Sequence, residues 1–453
     1  MASQLQKLPE ATQTVLKLAA CIGNQFNLEV LSVVNEESNL ATAADLWEAM
    51  QAGLILPLSE NYKIPLVFAQ EELASIRDIK VDYKFLHDRV QQAAYSLIPE
   101  SDKKATHLKI GQLLLNNTTQ PERKDNIFAL VNQLNFGTDL LTTHSEKDEL
   151  AELNLIAGQK AKAATAYEAA VNYLNVGLEL LSQDSWEDQY ALTFTFYLEA
   201  AEVAYLNANL ERAEIFCDRV FQQAKTILEQ VKLYVLKIRI YLAKNQNNDG
   251  LDAGLQVLKM LGVTLYESPP QELNIEELAN LPEMSEPYKQ AAMQLLVLIF
   301  PPACFAESPL SLPIIYTMVE LSRQYGNSPQ STYAYSVYGI FVSWLFSDIN
   351  LSYQLGQLAL QLLDKLDARE FRSKVLVSTY LGIIHLKKHT RETIEPLRQA
   401  INSGLEFGDL EFACHAADYY CSHLFFNAEH LDYVQEQQKL YIDLAERLSQ
   451  EHQ

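Results

Sequence analysis

The feature that most constrains this chain is a recurrence. Short amphipathic segments lie near Ala169, Ala213, Gly254, Gly356, Arg398 and Glu436. Neighbours within each half are roughly 40 residues apart, the period of stacked helix pairs. One helix pair cannot bury its own apolar face, so copies must stack on each other. The punctuation agrees: with only 15 Gly and 15 Pro in 453 residues, long stretches run without a backbone breaker. These observations predict a mainly all-α chain, an α-solenoid of helix pairs.

Residues 1–100 read differently. Val15, Leu18, Ala19 and Ile22 have helical spacing within Pro9–Ile22, and Gly23 ends that helix. A second helix fits Leu40–Gln51. Leu54–Leu58 is a short extended run, and Val81–Phe85 alternates apolar and polar like a half-buried strand. Helix, helix, strand, loop, strand is the order of a winged helix, with the long loop between the strands as its wing. The expected organisation is a small winged-helix-like α/β domain at 1–100 and a first set of repeats at 101–265. A Pro-rich linker or long loop at 266–287, marked by Pro269, Pro270, Pro282 and Pro287, then leads to a second set at 288–453. In the first set Leu251, Leu255 and Leu258 share a face, with Gly262 as the cap; in the second, Leu351, Leu355, Leu358 and Leu362 do the same.

Charge narrows the function. The chain carries 58 acids against 35 bases, a net −23. A nucleic-acid binder needs Lys and Arg to neutralise phosphates, and residues 1–100 hold 13 acids against 7 bases. Neither nucleic acid nor a membrane is therefore an expected partner; basic protein surfaces are. Five cysteines without a Cys-x-x-Cys pair read as buried thiols in a reducing compartment, and no apolar run reaches the ~20 residues of a membrane span. The expected location is the cytoplasm.

Catalytic signatures are absent from the sequence. It has no phosphate-binding Gly-x-x-x-x-Gly-Lys-Ser/Thr, no Gly-x-Gly-x-x-Gly, no kinase loop, no His-Glu-x-x-His and no Gly-x-Ser-x-Gly. The expectation is a chain that is not an enzyme, with no catalytic residue, no cofactor and no metal. His385 and His389 have i, i+4 spacing, but Lys387, Lys388 and Arg391 would repel a cation, so a solvated helix face is expected. Cys414 and Cys421, near His415 and His423 in sequence, lie two turns apart on one helix and read as small thiols packed among aromatics. In Phe85-Leu86-His87-Asp88-Arg89, His87 reads as a cap or packing residue where a strand meets a helix, with Ala93 and Tyr95 in the core.

Two resemblances add to this. Ala200 to Ala213 resembles a tetratricopeptide unit, with Ala201 and Ala213 at the small positions where two helices touch; Ala157 and Ala169 repeat the spacing. The match departs at Cys217, which replaces the usual aromatic, and lacks the closing Pro. Longer runs, among them Tyr83–Pro99, His107–Gly111, Asn132–Asn135, Ala151–Gly158 and Lys160–Tyr167, resemble the middle region of very large bacterial signalling proteins frequent in cyanobacteria. Such proteins carry a serine/threonine-kinase domain, a STAND-type predicted ATPase, helical repeats, a GAF domain and a histidine kinase of two-component type. The resemblance implies a regulatory scaffold whose partners are proteins or neighbouring kinase, nucleotide-binding and GAF domains. Those domains would lie before Leu8 and after Gln453. It also makes Leu86-His87-Asp88 a counterpart of a Met-His-Asp-like motif, with His87 a nucleotide-sensing residue in a full-length context. The alternatives are a winged-helix transcription regulator with a helical sensor, and a partner acting in trans on a separate serine/threonine or histidine kinase.

Overall fold

A computed structural model describes residues 2–63 and 80–451. Helix dominates, as the sparse Gly and Pro predict, and the three short strands among the described residues are confined to the N-terminal region. The chain folds as two compact units, 1–203 and 204–453. Helices of eight or more residues are numbered below.

The first unit opens with α1 (Glu10–Ile22), β1 (Gln25–Asn27), α2 (Leu28–Asn35), α3 (Asn39–Gln51), β2 (Ile55–Pro57), β3 (Asp82–Phe85) and α4 (Asp88–Ser96). The strands form an antiparallel sheet in the order β1-β3-β2. Sequence reading had no β1 and no α2. Three residues are too few to show alternation, yet Phe26 anchors the strand by stacking on Tyr83 and tilting against Phe85, at centroid distances of 5.8 and 5.5 Å. Asn27 then turns strand into helix, its side chain accepting from the backbone N–H of Glu29 and Val30. The tip of the expected wing, residues 64–79, lies outside the described residues.

The first unit continues with α5 (Glu100–Asn116), α6 (Ile127–Phe136), α7 (His144–Ala163), α8 (Tyr167–Leu180) and α9 (Tyr190–Leu206), the division falling inside α9. The expected boundary at 100/101 is not a gap, because Ile98 and Ile110 pack with Cys21 and Val34. In α7–α8, Ala157 and Ala170 are fully buried while Ala169 is not, so the small-residue register lies one position from the expected one. Ala201 and Ala213 are each fully buried.

The second unit contains α10 (Leu210–Phe221), α11 (Ile227–Ala243), α12 (Asn247–Met260), α13 (Pro287–Phe305), α14 (Ser311–Tyr325), α15 (Pro329–Phe346), α16 (Ile349–Lys365), α17 (Arg372–Gly382), α18 (Ile394–Phe407), α19 (Leu410–Phe426) and α20 (Leu431–Glu451). α10 stops at Phe221, and a capping box of Thr226 with Glu229 starts α11.

The hairpin turns reveal the repeat at the level of the backbone. Thr165, Ala208, Asn245, Asp367 and Ala428 all adopt the left-handed conformation. At each, the residue donates its N–H three positions back and its successor donates five back: Ala208 to Tyr205, for example, and Asn209 to Ala204. This is the Schellman arrangement, which satisfies carbonyls that a helix end would otherwise leave bare. Gly262 makes the same pair of bonds at the end of α12, the cap its position predicted.

Residues 266–287 are not a free linker. Leu278, Ala279 and Met284 are buried in one core that runs from Val231 to Val375 and so includes helices on both sides of the segment. Asn327, 1% exposed, stitches the segment in place. Its side-chain amide donates to the Leu278 carbonyl at 2.7 Å, its oxygen accepts from the Tyr335 hydroxyl at 3.0 Å, and its backbone exchanges bonds with Pro282 and Met284. The physical reason for the difference is simple. Pro269, Pro270 and Pro282 lack an N–H and stand outside regular helix here, but a proline carbonyl still accepts from a distant amide, as that of Pro282 does from Asn327.

Candidate functional site

His87 sits at the N-cap of α4, in extended backbone, and its side chain makes no capping bond. Leu86, His87, Asp88 and Arg89 are all exposed. The packing expected there is supplied by neighbours: Val90 and Ala94 are the buried residues of α4, while Ala93 and Tyr95 are only partly covered. His87 is thus displayed at a strand–helix junction rather than held in the core.

A polar node that sequence reading missed lies close by. Buried His107, on α5, is held from two sides. Its Nδ1 meets Gln133 Oε1 at 2.6 Å and its Nε2 meets the Tyr95 hydroxyl at 3.0 Å. Gln133 in turn donates Nε2–H to the Cys21 carbonyl at 2.8 Å. That carbonyl can only accept, which turns the Gln133 oxygen toward the ring and requires the His107 proton on Nδ1. Nε2 then accepts from Tyr95. The ring also packs on Phe136 at 4.3 Å. Burial lowers the His107 pKa from its ordinary value, against the bond to Gln133. The node ties α1, α4, α5 and α6 together through a neutral imidazole.

The other chemically suggestive residues do not assemble. His385 and His389 do not share a helix: His385 falls in a short 3-10 turn after α17, and His389 is the extended residue that caps the next such turn, its Nδ1 accepting the Arg391 N–H. The helix they were expected to occupy ends at Gly382. His423 is buried with its Nδ1 2.5 Å from the Thr393 hydroxyl. No group of three or more metal-ligating side chains forms among the described residues. Cys21, Cys217 and Cys421 are buried as expected, but Cys304 is half-buried and Cys414 exposed. Burial pushes Cys21 and Cys217 up to about 12, which removes thiolate reactivity at neutral pH.

A groove of about 360 Å³ lies in the second unit. Leu405 of α18, Ala417 of α19 and Tyr441, Ile442 and Ala445 of α20 supply an apolar lining, with Asp418 at the side. Small residues on α19 keep its floor open. A smaller groove of about 230 Å³ lies in the first unit, lined among others by Leu108, Leu134, Leu141 and Leu153. Neither brings together a nucleophile, a base and an oxyanion donor; both offer apolar surface with a few polar groups.

Fold and site together define a class: a helical-repeat protein, an α-solenoid of helix hairpins with a small antiparallel sheet near its N-terminus. No protein-family model matches the chain. It is 25% identical over 492 aligned positions to hybrid signal transduction histidine kinase G of Dictyostelium discoideum. The alignment takes in 92% of this chain and 14% of that protein, so the chain spans a small fraction of its relative's length. Among solved structures it is similar to a Signal Transduction ATPase with Numerous Domains that carries a tetratricopeptide-repeat sensor, from Pyrococcus horikoshii. The TM-score is 0.39 and the identity 13%, over 99% of this chain and 65% of that one.

Proposed function

We propose that the chain is a non-catalytic regulatory segment of a signal-transduction protein, a helical-repeat scaffold that holds a protein segment in the α18–α20 groove. The groove carries this reading: most of its lining is apolar, and it is built from helices α18 to α20. Its occupant is an apolar or amphipathic stretch of a neighbouring kinase, nucleotide-binding or GAF domain, or of a separate kinase. The similarity to a histidine kinase along nearly the whole chain supports a place in signalling. In this reading residues 1–100 act as a winged helix whose exposed His87 approaches a nucleotide held by another domain. The location is cytoplasmic; no helix among the described residues is long and apolar enough to cross a membrane.

The experiment is affinity capture from the source cell with the wild-type chain and with Ile442→Glu. Ile442 is 57% exposed, so the substitution spares the core while charging the groove. One partner should be captured by the wild type and lost by the variant, with the circular dichroism of the two unchanged. Retention of every captured protein would remove the groove from the function. A saturable calorimetric response of the chain alone to ATP with magnesium, at micromolar affinity, would contradict the non-catalytic reading.

A further inference from the structure

The α18–α20 groove has an acidic margin as well as an apolar lining. Asp418 alone is charged among the described lining residues, and it is exposed. Glu411 stands one turn before Cys414 on α19, and Glu406 follows Leu405 on α18; both are exposed. From Leu405 to Ala445, the stretch that supplies every described lining residue, the sequence holds eight Asp and Glu against one cation, Lys439. Across the whole chain the ratio is 58 to 35, so the acidity here is local. Nearby charges that are already paired do not change this. Asp409 lies 3.1 Å from Lys374, Arg398 is held by Glu395 at 2.9 Å, and Glu411 lies 3.9 Å from His415. Lys439, three residues before Ile442, is the one basic group left to set against Glu406, Glu411 and Asp418.

The floor suits a helix. Ala413 and Ala417, one turn apart on α19, and Ala445 on α20 present only methyl groups, which lets another backbone come close. Leu405 and Ile442, 36% and 57% exposed, offer apolar area to cover. The chain's own helices meet by the same means: Ala400 of α18 and Ala416 of α19 are fully buried in one apolar cluster.

We propose that the groove's occupant is a basic amphipathic helix, with apolar residues at i, i+3, i+4 and i+7 toward the floor and Lys or Arg along its edges. This rests on the reading of the groove given above and names the chemistry of its partner. Apolar residues at that spacing give such a helix its hold. The acids at the margin select its charge, by attracting the right partner and repelling wrong ones. They also argue against other occupants. A second copy of this chain meeting the groove with the same face would oppose two acidic stretches, and nucleic acid or anionic lipid would bring phosphates to Asp418.

The test uses the full chain and three synthetic peptides, read by fluorescence anisotropy. One carries Leu and Lys in amphipathic helical order, one carries Leu and Glu in the same order, and one is the Leu/Lys peptide scrambled so that no apolar face remains. The first should bind saturably, at least about tenfold more tightly than either of the others. It should loosen as salt rises, since charges are screened beyond about 8 Å at physiological ionic strength. Glu411→Lys with Asp418→Lys should weaken it at least about tenfold. Asp252→Lys with Glu267→Lys makes the same change in net charge away from the groove lining and should leave binding within about twofold. All four side chains are exposed, so both variants should keep the wild-type circular dichroism. Glu411→Gln with Asp418→Asn, expected to give a smaller loss, keeps the test decisive if reversed charge disturbs α19. No binding of the Leu/Lys peptide, equal binding of the Leu/Glu peptide, wild-type binding by the Glu411/Asp418 variant, or a dimer in sedimentation that Ile442→Glu dissolves would each overturn the proposal. A partner captured from the cell and lost with Ile442→Glu would stand in any of these cases, so the basic occupant can fail while the groove keeps its function.

Discussion

His107 sets the acid behaviour of the first unit. Its folded-state pKa is lowered by burial, so between that value and the ordinary value of about 6.5 the unfolded chain binds a proton that the folded chain does not. Its contribution to stability is complete above about pH 6.5 and falls as the pH drops toward the lowered value. His385 and His423 are shifted the same way by burial, His423 also by the charge of His385. Urea midpoints should therefore hold steady above neutrality and decline below about pH 6.5. His107→Gln should give a shallower decline, and a slope identical to wild type would show that the imidazole plays no part in it. At the same scale, a methyl added at Gly177 presses into the Phe196 ring. Gly177→Ala should cost about 1–3 kcal/mol in chemical denaturation. Neither residue announces itself in the sequence. The partners of His107 lie 12 and 26 residues away on other helices, and nothing local marks them. His87 was legible as a strand–helix junction, because Phe85 ends an alternating run and Asp88 opens a helix; its exposure was not, since that depends on what packs around it.

Among the elements, helices with long apolar periods were read closely. The helix expected over Leu40–Gln51 is found at Asn39–Gln51, and Leu355, Leu358 and Leu362 of the expected stripe are fully buried. The misses have local causes. β1 is too short for periodicity, and the turn at 222–226 contains neither Gly nor Pro, so nothing in composition marks the end of α10. Left-handed residues at the hairpin turns were equally silent, because most are not glycine. That gives a prediction: Ala208 carries a Cβ at φ +57°, so Ala208→Gly should stabilise the chain, by about 0.5–1 kcal/mol after the entropy of the freer unfolded residue is subtracted. A loss of stability would show that the turn is held by something other than backbone conformation. Asn327 offers the opposite case. Asn327→Ala would strand the Leu278 carbonyl and the Tyr335 hydroxyl in the core, at about 1–3 kcal/mol for each buried group. A thermal midpoint within a degree or two of wild type would mean that water replaces the amide.

At the scale of the molecule, the 266–287 segment decides how many cooperative pieces the chain has. Four prolines make it resemble a hinge, and a hinge would let the helices on either side unfold independently. The core from Val231 to Val375 says otherwise, because α12 and α13 meet where Gly254 lies against Ile299, and α14 to α16 close over Leu278 and Met284. Stacked repeats transmit damage only through the interfaces they share. The most direct measurement is native-state hydrogen exchange on Leu296→Ala, which empties a fully buried site in α13 at a typical cost of about 2–5 kcal/mol. Amides of α12, α14 and α15 should lose protection together, on both sides of the proline segment, while those of α1 and α3 in the first unit keep theirs. Loss confined to residues beyond 287, with α12 still protected, would restore the hinge and contradict the single core described for the second unit.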